Sequence, residues 1–342
     1  NNAISFNQPI NKWNVSNVID MNYMFRDARS FNQPIGDWNV SNVGNMESMF
    51  KDAEVFNQNI RSWNVSNVTN MTDMFDDATE FLNYNGITKT PDPAFWKRFT
   101  DSDLKAAVDE YWPHDATEHV QSVREKYGYI RDWNVSNVIN MGWLFFGKYE
   151  FNEDITNWNV SNVENMNHML KDCRKFNQSI GNWDVSNVKL MNDMLNGALI
   201  FNQPINNWDV SNVTNPNSMF YNAVEFNKPL SSWNTSNFRS TYSMFHRAIK
   251  FNQPLDNWDV SNVKSTWSMF GYSHKFNQPL ENWDVSNVVS MQSMFSSVGN
   301  ATLGVAMPDG ITFGPNFKTS EVKNMQGMFY SCGVSSLDLS HF

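Results

Sequence analysis

A phenylalanine returns every 25 residues. Phe6, Phe31, Phe56 and Phe81 form one series, and Phe151, Phe176, Phe201, Phe226, Phe251 and Phe276 resume it at the same step. Seven residues after most of them stands a tryptophan: Trp13, Trp38, Trp63, Trp158, Trp183, Trp208, Trp233, Trp258 and Trp283. Trp133 belongs to the same row, although Lys126 occupies the Phe slot before it. The consensus is F-N-Q-P-I-x-x-W-N/D-V-S-N-V-x-x-M-x-x-M-F-x-x-A-x-x, numbered here as positions one to twenty-five. One such repeat cannot bury its Phe, Ile, Trp, Val and Met side chains alone. Stacking similar repeats can, and that restricts the chain to an array of coils, each contacting its neighbours.

Two interruptions break the period. From Trp63 to Trp133 is 70 residues, one repeat plus a 45-residue insertion, and from Trp283 to Phe317 is 34, one repeat plus nine. Phe317 takes the Trp slot, followed in register by Val322, Met325, Met328 and Phe329, and Phe342 takes the slot again. Ten Trp coils and two Phe coils make about twelve. The organisation expected is a first array over 1–83, a helical insertion or cap over 84–128, and a second array over 129–342 with a short insertion near 300–312. Residue 1 falls at position twenty-one and residue 342 at position eight, which reads as a segment of a longer protein.

The second half of each repeat carries apolar residues at helical spacing. Val18, Met21, Met24, Phe25 and Ala28 follow i, i+3, i+6, i+7 and i+10, and Ser16 and Asn17 stand where a cap would. The first half is too short for a helix. Its proline (Pro9, Pro34, Pro204, Pro229, Pro254, Pro279) denies a ladder donor, so any strand there is very short. The expectation is one short strand and one short helix per coil, with the tryptophans in an offset-stacked ladder.

The insertion differs in composition, with 14 charged residues in 45. Leu104, Val108, Tyr111 and Trp112 share a helical face that Pro113 ends. Asp115 with Glu118 resembles a capping box, ahead of Val120, Val123 and Tyr127, and Gly128 stops that second helix. An exposed apolar patch near Trp96 and Phe99 would favour docking.

Charge excludes one partner class. With 25 Lys and Arg against 35 Asp and Glu, the net charge is −10, which is no footprint for nucleic acid. No apolar run reaches the roughly 18 residues of a transmembrane helix. Catalytic motifs are wanting: there is no G-x-S-x-G, P-loop or G-x-G-x-x-G. His114 and His119 have the spacing H-x-x-x-x-H, not the H-E-x-x-H of a zinc helix. Cys173 and Cys332 both stand at position twenty-three, usually Ala, and read as core fillers six coils apart. Asp76-Asp77 reads as a solvated face. Asn at positions two, nine and twelve reads as turn chemistry satisfying backbone groups at each bend, against the alternative of a calcium or sugar strip. The variable positions six, seven, fourteen, fifteen, seventeen and eighteen should face solvent, and they show no aromatic or basic stripe. Position nine also creates sequons at Asn14, Asn39, Asn64, Asn134, Asn159 and Asn234. Glycans so close to the Trp row would obstruct stacking, so the chain is expected not to mature through a glycosylating pathway.

The segment W-N/D-V-S-N-V-x-x-M-x-x-M-F, intact at Trp38–Phe50 and Trp283–Phe295, resembles the repeat of the BspA-type leucine-rich-repeat surface proteins. Leu337-Asp338-Leu339-Ser340-His341-Phe342 looks like the more standard leucine-rich form. Everything outside 84–128 and about 300–312 is covered by the likeness. Within the insertion, Leu104-Lys105-Ala106-Ala107-Val108 and Tyr127–Trp133 are similar to a segment that often precedes such arrays, implying a retained cap; a partner-docking knob is the alternative. The resemblance implies an α/β solenoid, an LRR-like right-handed superhelix. It also implies a non-catalytic surface protein for adhesion or protein–protein recognition, on a bacterial cell surface or a virion. The alternative is a structural assembly component of a virion or other large surface structure. No catalytic, cofactor-binding or metal-binding residue comes with it. The partner expected is a protein or glycan of unknown identity, with no nucleic acid.

Overall fold

The computed structural model describes residues 3–113, 121–299 and 311–333. The chain divides into two compact units, Asn1–Phe99 with Val120–Asn137, and Thr100–His119 with Val138–Phe342. In each, one 25-residue coil lies on the next, but the local structure is not a strand plus a helix. Among the described residues strand pairing is reduced to single parallel bridges, most of them at position fifteen, as along Asn140, Asn165 and Leu190 or along Ser240, Ser265 and Ser290. The helices are α1 (Thr79–Asn85), α2 (Asp101–Tyr111) and α3 (Gln121–Tyr127), with short 3-10 turns at Pro93–Trp96 and Ile130–Asp132. None covers the apolar stripe at positions thirteen to twenty-three of a repeat. The expected α/β, LRR-like coil of one strand and one helix is therefore overturned.

The backbone hydrogen bonds give the reason. In an α-helix every N–H is spent four residues back along the same segment. Here the donors alternate between two destinations. Asp193, Leu195 and Gly197 donate to the next coil, at Asn217 O (2.9 Å), Met219 O (3.0 Å) and Tyr221 O (2.8 Å). Between them Met194, Asn196 and Ala198 donate three residues back, to Met191 O, Asp193 O and Leu195 O, at 3.2–3.3 Å. The result is a run of consecutive turns over positions seventeen to twenty-two, tied edge to edge with its neighbours. Positions eighteen and twenty-two have left-handed backbone, for example Asp193 at φ 55° and Gly197 at φ 74°, or Ser243 at 50° and Arg247 at 58°. A left-handed residue every four breaks any helix, and Asp, Ser, Asn and Gly tolerate that conformation best.

The apolar stripe still forms the core, because a turn repeated every three residues sends every third side chain inward as a helix does. Val188, Met191, Met194, Leu195 and Ala198 are all fully buried. Aromatic stacking runs along two phenylalanine rows. Position-one rings lie 5.9–6.1 Å apart along Phe151, Phe176, Phe201, Phe226, Phe251 and Phe276, nearly parallel throughout. Position-twenty rings follow at 5.4–5.8 Å along Phe220, Phe245, Phe270 and Phe295, and each row touches the other at about 4 Å, as in Phe245–Phe251. The tryptophans behave differently. Only Trp233 and Trp258 stack on one another, at 6.1 Å, among the described pairs. What recurs is the indole N–H, which donates to the position-five carbonyl of the preceding coil: Trp183 to Ile155, Trp208 to Ile180, Trp233 to Ile205 (3.0–3.2 Å).

The asparagines divide the remaining polar work. At position nine the side chain folds back on its own coil, accepting from the N–H two residues on (Asp209 from Ser211, 3.0 Å). At position twelve it reaches across, Asn212 Nδ2 donating to Ser186 O at 2.7 Å. Position two also crosses: Asn177 Oδ1 accepts the backbone N–H of Asn202 at 2.9 Å and the Gln203 amide at 3.1 Å. Only position nine is the turn the sequence suggests; positions two and twelve are struts between coils.

In the first unit the last regular coil ends in α1. Phe81 keeps its place on Phe75 (4.1 Å) and Phe56 (5.8 Å), but Leu-Asn-Tyr-Asn replaces Asn-Gln-Pro-Ile. Without that proline the segment is free to be helical. Arg61, at position six, is buried there instead of facing solvent, at 8% exposure. Its Nη1 donates to Phe95 O and Tyr127 O, both at 2.7 Å, and its guanidinium lies 3.4 Å from the Phe95 ring centre. Burial pushes its pKa down to about 9. In the second unit α2 buries Leu104, Val108 and Tyr111, with Trp112 directly after it, as the periodicity predicts, and Thr100 caps its start. Asp101 Oδ1 accepts the N–H groups of Ile139 (2.8 Å) and Asn140 (3.1 Å). Those are the groups a preceding coil would otherwise meet, so α2 closes that edge of the array. In α3 Val123 and Tyr127 are buried, and Gly128 follows at φ 69°. Asp115, Glu118 and Val120 lie outside the described residues.

Candidate binding surface

The turn run that replaces the expected helix sets which side chains meet solvent. Positions nineteen and twenty point inward, while large side chains at seventeen, eighteen, twenty-one and twenty-two reach solvent, as Tyr23, Trp143 and Phe146 do; the small Ser48, Ser218, Ser243 and Ser268 at position eighteen stay buried. On three adjacent coils of the second unit those positions carry aromatic residues. Tyr242 and Trp267, both at position seventeen, meet edge to face at 5.0 Å. Tyr221 and His246, both at position twenty-one, stack at 4.8 Å, and His246 reaches Tyr272 at 5.4 Å. The Arg247 guanidinium lies 5.5 Å from the Tyr272 ring centre. Tyr242, Trp267 and Tyr272 are 37%, 41% and 38% exposed. Nearer the start of the same unit Trp143 stacks on His168 at 3.8 Å and meets Phe146 edge-on at 5.0 Å.

The Tyr242–Trp267 surface is close to neutral. His246 Nδ1 lies 2.8 Å from Ser268 Oγ, and burial, with Arg247 adding to it, lowers the imidazole pKa to about 4. It is uncharged at neutral pH. Between the rings Asn217 and Asn222 are half-buried, and Ser218, Ser243, Ser268 and Gly271 are buried beneath them. The surface presents flat apolar rings, hydroxyl and amide groups and one guanidinium. That arrangement supports recognition by ring contact and hydrogen bonding.

The sequence reading missed this row. Tyr242 and Trp267 stand at position seventeen, a column with no continuous aromatic stripe, and the helical spacing places positions twenty-one and twenty-two within a helix. The signal is visible once outward positions are known, because Tyr221, Tyr242, Trp267 and Tyr272 interrupt columns that hold mostly polar, charged or glycine residues elsewhere. Conversely, the insertion shows no exposed patch at Trp96 and Phe99, which are 5% and 2% exposed. Cys173 is buried, and its thiol donates to Phe145 O at 3.1 Å as a small core residue; burial pushes its pKa up. Asp76 and Asp77 are both exposed, and Asp76 pairs with Lys51. His114 and His119 lie outside the described residues. Asn14, Asn39, Asn64, Asn159 and Asn234 are exposed, so their sequons are accessible, although each Oδ1 is occupied by the N–H two residues on. Among the described residues no three His, Cys, Asp or Glu converge as a metal site would require. No described helix is long and apolar enough to cross a membrane.

A family model described as "Mycoplasma protein of unknown function, DUF285" matches residues 1–88, 115–223 and 201–303. The chain belongs to the DUF285 family. The matched stretches are the repeat arrays, so membership in DUF285 rests on the 25-residue coil. No curated protein and no solved structure matches the chain.

Proposed function

We propose that this DUF285 chain is a non-catalytic, surface-displayed recognition array of the BspA-like kind, used in adhesion or protein–protein recognition at a cell or virion surface. The observation that carries this is the aromatic surface built over three coils of the second unit by the exposed Tyr242, Trp267 and Tyr272 with the half-buried Tyr221. Large rings cost stability when left in water, and contiguous exposed apolar surface of this type marks an interaction site. Its neutral, amide-rich and hydroxyl-rich surroundings suit a glycan or a neutral protein surface better than a charged ligand. The repeated backbone behind it supplies a rigid mount, which keeps the ordering cost of binding low.

The test is capture from host-cell surface extract and on a glycan array, using the intact chain beside Trp267→Ala and Tyr242→Ala. A host glycoprotein or glycan retained by the wild type and lost in both variants is the expected result. Retention only of proteins from the chain's own particle or envelope would favour an assembly component instead. Capture unaffected by either variant would dissociate the aromatic surface from the function.

A further inference from the structure

We infer that the open edge of the coil Phe56–Glu80 is a docking site for an extended peptide segment with the repeat's own valine-serine-asparagine-valine chemistry. This site lies wholly within the first unit and is independent of the aromatic surface. The coil has no full successor. Trp96, from the insertion, takes the tryptophan slot, lying 6.5 Å from Phe75 as Trp63 lies 6.3 Å from Phe50. The chain then departs as Lys97-Arg98, where the tryptophan coils continue as Asn/Asp-Val-Ser-Asn-Val, save for Asn-Thr-Ser-Asn-Phe after Trp233. What remains is a cleft of about 770 Å³, lined among others by Trp63, Val65, Val68, Pro93, Trp96 and Arg98.

The main chain along this edge, from the cleft at Ser66 onward to Asp73, is unpaired where its counterpart one coil earlier is paired. Ser41 O accepts Asn67 Nδ2 at 2.7 Å and Gly44 O accepts Thr69 N–H at 2.8 Å. Met46 and Ser48 donate to Asn70 O and Thr72 O at 2.8 and 2.9 Å. Among the described residues the equivalents, Ser66 O, Thr69 O, Met71 N–H and Asp73 N–H, make no hydrogen bond. Val68 and Met71 are partly exposed, whereas Val43 and Met46 are fully buried. The Trp96 indole N–H is also buried without a partner, although Trp38 and Trp63 donate theirs to Ile10 O and Ile35 O. The start of the second array is closed by Asp101; among the described residues the only such contact at this edge is from Thr90, whose hydroxyl accepts Phe75 N–H at 3.1 Å.

The repeat identifies the occupant. At seven junctions the same edge is met by a segment whose position-twelve asparagine donates to the position-eleven carbonyl below it, at Asn42, Asn67, Asn187, Asn212, Asn237, Asn262 and Asn287 (2.7–2.9 Å). A ligand for Ser66 O therefore needs a side-chain amide, with a valine directly after it to cover Val68 and free backbone groups beyond it for Met71 and Asp73. An open row of backbone donors and acceptors is a template for an added chain, as at the edge of a sheet. A glycan offers neither the amide spacing nor the apolar residues that the edge repeats elsewhere.

The probe is a labelled peptide with the sequence of residues 39–46, Asn-Val-Ser-Asn-Val-Gly-Asn-Met, titrated with the intact chain. Saturable binding is expected, weakened about fivefold when the peptide's Asn42 is replaced by Ala, the value of one hydrogen bond of about 1 kcal/mol. Val68→Arg in the protein should abolish it while the melting temperature holds. Hydrogen exchange on the unaltered chain supplies a reading that needs no variant: the peptide should slow the amides of Met71 and Asp73. Absence of saturable binding, binding indifferent to Val68→Arg, or unchanged exchange at Met71 and Asp73 overturns the proposal. So does self-association of the chain that Val68→Arg removes while the peptide fails to bind, because the occupant is then a second copy.

Discussion

Gly197→Ala distinguishes a turn ladder from a helix by the sign of its effect. Gly197 sits at position twenty-two, inside the apolar stripe that reads as helical. In a helix interior, replacing Gly by Ala stabilises by about 0.5–1 kcal/mol. In the structure Gly197 has φ 74°, where a residue with a Cβ pays about 1–2 kcal/mol. A Cβ built there lies 2.4 Å from Asp172 Oδ1 and 3.3 Å from Asp172 Cα, so the aspartate of the preceding coil must leave its rotamer, at about 0.5–1.5 kcal/mol more. The expected loss is about 2–3 kcal/mol. In urea, with a slope of about 2 kcal/mol/M, the midpoint should fall by roughly 1 M. Asp172→Gly in the Gly197→Ala background removes the collision but not the left-handed strain, and should restore about a third of the loss. A higher midpoint for Gly197→Ala alone would refute the turn ladder and reinstate the helix.

Three further outcomes follow from named contacts. Trp208→Phe removes the buried indole bond to Ile180 O and some ring volume, and should lower stability by about 1–2 kcal/mol in urea unfolding. Asn212→Ala removes the strut to Ser186 O at an exposed site, and about 0.5–1 kcal/mol is expected by the same assay. His246 has its folded pKa lowered to about 4 against 6.5 when unfolded. The unfolded chain takes up the proton first, so this residue's contribution is full above pH 6.5 and is lost as pH falls toward 4. His246→Gln should therefore lose less stability than wild type between pH 7 and pH 5, and equal acid sensitivity in the two would contradict the burial of the imidazole.

The repeat, its interruptions and its core were legible because they depend on spacing alone. Phe201, Trp208, Val213 and Met219 are buried wherever the chain bends, provided that equivalent residues stack. The kind of coil was not legible from the stripe, because a period near three is shared by helices and by successive turns. The deciding signal lay in the polar residues. Asp27, Asp52, Asp77, Gly147, Asp172, Gly197 and Asn222 share one slot, and these are the residues that accept left-handed backbone. Misreading that run also hid the binding surface, since a helix would have turned Tyr221 and Tyr272 to different faces. In the insertion α2 was legible because its Leu104, Val108 and Tyr111 stripe is longer than a turn run and carries no left-handed slot. The burial of Arg61 was not legible, because it depends on Phe95 and Tyr127, 34 and 66 residues further on.

Backbone chemical shifts over residues 189–200, measured by solution NMR on the intact deuterated chain, test the central claim most directly. The stacked-turn account predicts helical-type shifts interrupted at Asp193 and Gly197, with amides 193, 195 and 197 bonded to residues 217, 219 and 221 of the next coil. An unbroken helical run from Lys189 to Ile200 would contradict it.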